Sequence, residues 1–277
     1  MAYLAAIRWP DGFLCPKCSG TEAWEIGLGL RRCKACRTRV SATSGTLLHR
    51  TRKPMRDWLE GLWHICGQKK GGSALDLQNA MGFGSYNTAW EWLHRMRRAM
   101  VVPGRSLLNG EVEVDETFIG GVKAGRRGRG AGGKTIVLVA SEIRGVAHGR
   151  IRLQVIPDAT AFTLETALAD LVEQGSNVVT DGWSGYGKLS ARGYNHTVSR
   201  HPANVGEQLL PHVDRVASLL KRWILGTHQG AIGHHRLQSY LDEFVFRFNR
   251  RKADSRGLHE VLLNDETLFG ESDRGEL

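Results

Sequence analysis

Four of the five cysteines fall in two pairs, Cys15-x-x-Cys18 and Cys33-x-x-Cys36, separated by 14 residues. A C-x-x-C turn supplies two thiolates from one tight bend of chain, and two such turns brought together complete a tetrahedral shell for one structural zinc ion. Two redox or disulfide pairs are the alternative, but nothing else in the sequence points to an oxidising compartment. Cys66, in the apolar helical stretch "LWHICGQ", is expected to be a buried core residue.

A second kind of chemistry is suggested by acids at the ends of β-like runs. "GEVEVDETFIGG" places Asp115 and Glu116 near the end of a run that alternates apolar and polar residues, and "VVTDGWSGY" ends another such run at Asp181. Two carboxylates side by side repel each other unless a cation sits between them, and Mg²⁺ is the expected cation. Further on, "LLPHVDRVASLLKRW" offers Asp214 with Lys221 seven residues later. Seven residues are two helical turns, so acid and base share one face, the acid available to a metal and the lysine to a phosphate. Alternation puts Glu111 and Glu113 on the face of Asp115, and Glu116 on the other, either exposed or paired with a basic loop.

The elements that must position these residues follow from local pattern. Residues 13–40 alternate short β-like runs with the cysteine turns, as a zinc ribbon does when metal replaces a core. Arg31, Arg32, Arg37 and Arg39 cluster at its second turn, facing either phosphates or solvent. From Pro54 to about Val101 the period becomes helical: "MRDWLEGLWHICGQ", a helix from Ser73 to Met81, a turn at Gly82-Phe83-Gly84, and a helix starting near Ser85 with Ser85 or Asn87 as cap. This is a helix-turn-helix layout, with Asn87, Thr88 and Glu91 outward and Trp90, Leu93 and Met96 inward. Two ordinary packed helices joined by a glycine turn share that pattern.

After "VPGRSLLN" the period becomes two. Strands are expected at 111–119, 135–143, 150–156 and 177–181, with a helix at about 160–174. Three strands, a helix and a further strand match the start of an RNase H-like α/β domain, a mixed sheet flanked by helices. The expected boundaries are 1–50 for the zinc ribbon, 51–103 for the helix-turn-helix-like region and 104–277 for the RNase H-like domain. Between the first two strands lies the loop "VKAGRRGRGAGGK", whose Arg126, Arg127, Arg129 and Lys134 suit a phosphate backbone better than a core. Arg247, Arg250 and Arg251, in the last helix and just after it, either touch nucleic acid or keep that helix soluble. Phe244, Phe246 and Phe248 alternate too closely for one helical face and are expected in the core.

With 277 residues, 41% of them hydrophobic, the chain can bury a core of about two domains. No apolar run nears the ~18 residues needed to cross a bilayer, and the N-terminus lacks the marks of a leader, so the chain is expected in the cytoplasm. A formal net charge of +10 favours a polyanionic partner, nucleic acid first, because each neutralised phosphate releases counterions.

In this order, "RWPDGFLCPKC", "VEVDETFIGG", "VVTDGWSGY", "LLKRWILGTHQGAIG" and "YLDEFVFRFNRRK" make the chain, over almost its whole length, resemble the ISXO-like insertion-sequence transposases of bacteria, which join a zinc ribbon to a DDE-type catalytic domain. The resemblance implies that Asp115, Asp181 and Asp214 are the catalytic acids and that Lys221 is the basic residue after the third. It also implies two catalytic Mg²⁺ ions, DNA partners comprising terminal inverted repeats and target, and a homodimer or larger synaptic assembly. The third acid of such enzymes is commonly Glu; Asp214 is a methylene shorter, so its helix must approach more closely or bind through water. Two rival readings remain: a zinc-ribbon DNA-binding regulator with a weakened or inactive catalytic domain, and a nuclease of the same fold that cleaves without joining.

Overall fold

The computed structural model describes residues 1–46, 48–49, 51–68, 70–101, 105–120, 134–199, 209–230 and 232–253. The chain divides into two compact units, one holding residues 1–68 and 74–101, the other residues 70–73 and 105–253.

The first unit opens with a short helix α1 (Ala2–Arg8) and a three-stranded antiparallel sheet of β1 (Ala23–Gly27), β2 (Leu30–Cys33) and β3 (Arg39–Ser41) in that order. So small a sheet has little apolar surface to bury. Trp9 and Phe13, tilted against each other at 5.3 Å, supply part of it, and the Arg31 guanidinium lies 4.7 Å over the Trp9 ring. Three helices follow: α2 (Met55–Gly67), α3 (Ala74–Met81) and α4 (Tyr86–Ala99). Their core forms around Trp58 and Trp92, stacked at 3.7 Å with 8° between ring planes, with Phe83 edge-on to Trp92 at 4.8 Å. Leu62, Ile65, Leu77, Ala89, Leu93 and Met96 close round them. On α4 the buried positions are 89, 92, 93, 96, 97 and 99, of which 89, 92, 93, 96 and 97 follow the helical i, i+3, i+4, i+7, i+8 stripe. Trp92 is therefore the inward tryptophan. Trp90, expected to face inward, is half-buried and leans on His94, while Asn87 and Glu91 face outward as expected. Gly82, with φ +62°, takes the left-handed position that ends α3, and Phe83 N–H donates back to the Gln78 carbonyl at 3.0 Å. Ser85 occupies the N-cap of α4 but makes no side-chain capping bond.

The second unit is a five-stranded mixed sheet of β4 (Glu111–Ile119), β5 (Thr135–Arg144), β6 (Ala147–Ile156), β7 (Asn177–Thr180) and β8 (Asn195–Val198), ordered β6-β5-β4-β7-β8. The first three strands run antiparallel; β7 and β8 add parallel to β4 and to one another. Taken in chain order this is 3-2-1-4-5, the RNase H-like arrangement expected from the strand pattern. The helix α5 (Ala161–Leu171) covers one face, packing Leu164, Leu168 and Ala167 on Val112, Val114, Leu138 and Val178. The helices α6 (Pro211–His228) and α7 (Leu237–Asn249) cover the other, where Val137, Val139, Ile151 and Leu153 meet Val213, Val216, Leu220 and Phe244. Both faces of β4 are thus buried. That explains why Val112, Val114 and even Glu113 are inaccessible on the central strand. Phe244, Phe246 and Phe248 are all buried, as expected. The strand β8 was not anticipated, since four residues of alternating exposure carry too little pattern, and neither was the seven-residue α1.

Candidate active site and metal centre

The two cysteine turns fold alike. Ser19 N–H donates to the Cys15 carbonyl at 2.9 Å and Arg37 N–H to the Cys33 carbonyl at 3.1 Å, each with a left-handed residue closing the turn, Ser19 at φ +57° and Arg37 at φ +60°. Facing each other, they bring all four sulfurs within 4.8 Å of one another, with Cys15 and Cys36 at 3.5 Å and Cys18 and Cys33 at 3.6 Å. No disulfide joins them. Gly20 sits so close that an added Cβ would lie 3.3 Å from Cys33 Sγ. The hydroxyl and the backbone N–H of Thr38 hold the Cys36 thiol down to about 6, so one member of the set is poised to be a thiolate at neutral pH. Four soft sulfurs at this spacing fit one zinc ion. The Cys66 thiol is buried in the core of α2, apart from this set, as expected.

In the second unit the acids gather at one end of the sheet. Parallel register pairs Glu111 with Asn177 and Glu113 with Val179; Asp115 on β4 and Asp181 just past the end of β7 each lie two residues beyond that last pair, and the Asp181 charge reaches Asp115. Asp181 is held in place by its own turn: its Oδ1 accepts the Trp183 N–H at 2.9 Å. The intervening Gly182 is required, because it adopts φ +82° and an added Cβ would lie 2.6 Å from Val198. Asp115 accepts the N–H of Glu116 at 2.8 Å. Burial chiefly, with the charges of Glu116, Asp181 and Asp214 adding, pushes its carboxyl up to about 7 despite that hydrogen bond. Asp214, in the first turn of α6, is also raised, by burial first and then by Glu113, while Lys221 two turns on opposes the shift. Asp115 thus carries the electrostatic mark of both partner acids, and Asp214 that of Lys221. Among the described residues the four cysteines alone form a metal-sized cluster, and the three carboxylates do not close to that spacing. A half-buried Asp115 on which the charges of two further acids weigh belongs to a donor set that suits a hard divalent cation.

The basic residues divide. Lys221 is exposed on α6 and Lys134 is exposed just before β5; Arg126, Arg127 and Arg129 lie outside the described residues. The arginines of α7 and of the residues just after it also make contacts within the fold. Arg247 pairs with fully buried Glu243 at 2.8 Å. The guanidinium of Arg250 lies 4.2 Å over the Phe246 ring. Arg251 donates to the carbonyls of Phe248 and His148 at 2.7 and 2.6 Å.

One acid differs from expectation. Glu116 is half-buried and not exposed, and it accepts the Tyr186 hydroxyl at 2.6 Å on the α5 side of the sheet; the basic loop itself lies outside the described residues. Glu113, on the face of Asp115 as alternation predicts, is engaged by a helix: its carboxylate accepts the N–H groups of His212 and Val213 and the His212 Nδ1–H at 2.7, 2.9 and 2.9 Å. An acid in the apolar alternation of a central strand is a signal that it has a fixed partner, but nothing local says which.

Residues 107–249 match the model of the ISXO2-like transposase domain, and residues 1–39 that of the transposase zinc-ribbon domain. The chain belongs to the ISXO2-like transposases. An uncharacterised protein in the transposable element ISH50 of Halobacterium salinarum is 28% identical over 286 residues, covering 94% of this transposase and 93% of its own length. Solved structures of a pre-cleavage Mos1 transpososome and of the Mos1 strand transfer complex are 15% identical to the transposase. Each spans 80% of it and 82% of the solved chain, with TM-scores of 0.31 and 0.28. Likeness that loose carries no weight for the transposase fold, which stands on its own strand order.

Proposed function

We propose that this transposase binds the terminal inverted repeats of its insertion sequence and catalyses Mg²⁺-dependent DNA strand cleavage and strand transfer. The observation that supports the reading is the gathering of Asp115, Asp181 and Asp214 from three separate elements, each acid adding to the electrostatic cost of ionising Asp115. These three residues would hold two Mg²⁺ ions roughly 3.5–4 Å apart. When bound, the metal supplies charge neutralisation for in-line attack on a phosphodiester, by water in cleavage and by a DNA 3′-hydroxyl in joining. The chain's own work is placement. In this reading the parallel β4–β7 pairing carries Asp115 and Asp181 to the same end of the sheet, the turn at Gly182 orients the Asp181 carboxylate, and α6 would bring Asp214 with Lys221 on the same face to steady a neighbouring phosphate.

In this reading the zinc ribbon and the α3–α4 pair, which exposes Tyr86, Asn87 and Glu91, contact the element's ends. Lys134 and the loop carrying Arg126, Arg127 and Arg129 would lie along flanking or target DNA, a role to which Arg247, committed to Glu243, contributes little. Joining two ends takes two sites in one complex, so the working form is a homodimer or larger synaptic assembly acting on the bacterial nucleoid.

A second reading keeps DNA binding without catalysis, and the shorter side chain of Asp214 is the feature that favours it. Strand transfer in vitro decides between them: purified protein, labelled element ends, a target plasmid and Mg²⁺, with Asp115→Ala and Asp214→Ala in parallel. Joined product abolished by both substitutions is the expected result. Wild-type protein that binds ends but neither cuts nor joins with Mg²⁺ or Mn²⁺ makes the protein a regulator. Cleavage without joining makes it a nuclease.

A further inference from the structure

We infer that Glu113 is a positioning residue of the catalytic centre: from strand β4 it caps the N-terminus of α6 and thereby sets how closely Asp214 approaches Asp115. The inference rests on the reading of Asp115, Asp181 and Asp214 as metal ligands.

The helix cannot cap itself. Leu210 occupies its N-cap and makes no side-chain capping bond, Pro211 follows, and the N–H groups of the first turn need acceptors from elsewhere. Glu113 provides them. One of its oxygens accepts from His212 N–H at 2.7 Å and from Val213 N–H at 2.9 Å, and the other accepts from the His212 ring at 2.9 Å. The His212 ring is in turn held edge-on by His148 at 4.9 Å, and His148 by Phe248 at 5.8 Å. Glu113 is 4% exposed, so these three donors and the positive end of the helix are what make a carboxylate tolerable there.

The position of this cap gives it a catalytic consequence. Glu113 lies two residues before Asp115 on the same face of β4, and Val213 immediately precedes Asp214. The carboxylate therefore ties the strand that carries one acid to the turn that carries another. Asp115 is set by sheet register, with β4 paired on both sides at Glu113, to Ser141 and to Val179, and Asp181 by the turn that follows β7. Helix α6, by contrast, meets the sheet through Val213, Val216 and Leu220, and apolar packing is non-directional, leaving sliding and rotation loosely specified. The hydrogen bonds to Glu113 are directional and supply the missing constraint. A short aspartate at position 214 makes that constraint tighter, since it has one methylene less with which to absorb a shift of the helix.

The test uses the full-length, zinc-loaded protein with Mn²⁺ as the probe. Binding is followed by the electron paramagnetic resonance signal of free Mn²⁺, beside the Mg²⁺ dependence of end cleavage and the affinity for end DNA in EDTA. Glu113→Ala is expected to raise the Mn²⁺ dissociation constant about 10- to 100-fold, the effect usual for groups that orient metal ligands, and to move the Mg²⁺ midpoint by a similar factor with end-DNA affinity unchanged. Glu113→Gln, which keeps one acceptor oxygen, and His212→Ala, which removes one donor, should give smaller shifts in the same direction. Leu168→Ala, in the core on the opposite face of the sheet, is the control: it loses stability while keeping Mn²⁺ affinity. If Glu113→Ala does not fold, Glu113→Gln and His212→Ala decide. Folded variants at position 113 that bind Mn²⁺ as the wild type does overturn the inference. If instead wild type and Asp115→Ala bind Mn²⁺ equally, the carboxylates are not metal ligands, and the inference falls together with the reading beneath it.

Discussion

Buried charge in this molecule is compensated one residue at a time, and each compensation can be measured. Glu142, almost fully buried on β5, accepts from the Arg150 side chain at 2.5–3.1 Å and from the N–H groups of Asn109 and Arg150 at 3.1 and 3.0 Å. Burial alone would raise its carboxyl, but the bonds from Arg150 and Asn109 outweigh burial and hold it below the ordinary carboxylate range. An acid depressed in the folded state contributes stability that is present above its unfolded value near 4.5 and is lost as pH falls through the lower folded value. Glu142→Gln should therefore cost about 1–3 kcal/mol at pH 7, and the gap to wild type should narrow as denaturation is repeated at successively lower pH below 4.5. A gap independent of pH would mean that the loss is one of shape and not of charge. Glu113 and Glu142 show the same rule: a buried carboxylate in this sheet has at least three donors.

Each element of the first unit is marginal alone, and tertiary packing makes it stable. Helix α3 has eight residues and α4 fourteen, and α4 has no capping side chain, so both depend on the core around the Trp58–Trp92 stack. Trp92→Ala removes one half of that stack and the surface on which Phe83 rests. Urea denaturation followed by circular dichroism should show a loss of about 3–5 kcal/mol in the transition of this unit. Trp90→Ala, at a half-buried position two residues away on another face, should cost much less. Comparable losses would mean that the helical phase of α4 is misassigned.

At the scale of the whole molecule the excess of positive charge governs how DNA is met. With a net charge of +10, binding to element ends should weaken steeply with salt. About six phosphate contacts correspond to a slope of about −5 in log affinity against log salt, measurable by anisotropy with Asp115→Asn to prevent cleavage. Replacing Arg126, Arg127 and Arg129 together should flatten the slope by up to about three units if the loop tracks the backbone. An unchanged slope would remove the loop from the interface. No helix among the described residues is long and apolar enough to cross a membrane.

What the sequence by itself determined is what short-range chemistry can specify. The spacing of Cys15, Cys18, Cys33 and Cys36 contains the metal site, because a C-x-x-C turn is made within five residues. The alternation of 111–119 locates β4 to the residue, and the seven-residue step from Asp214 to Lys221 places both on one helical face. What the tertiary structure decided is every assignment that depends on a partner far along the chain. Glu113 acts on residues 99 and 100 positions away, and Glu116 on a tyrosine 70 positions away. The physical reason is common to both. Alternation says which face of a strand a carboxylate occupies, but only the docking of a second element decides whether that face meets solvent, a hydroxyl or the open end of a helix.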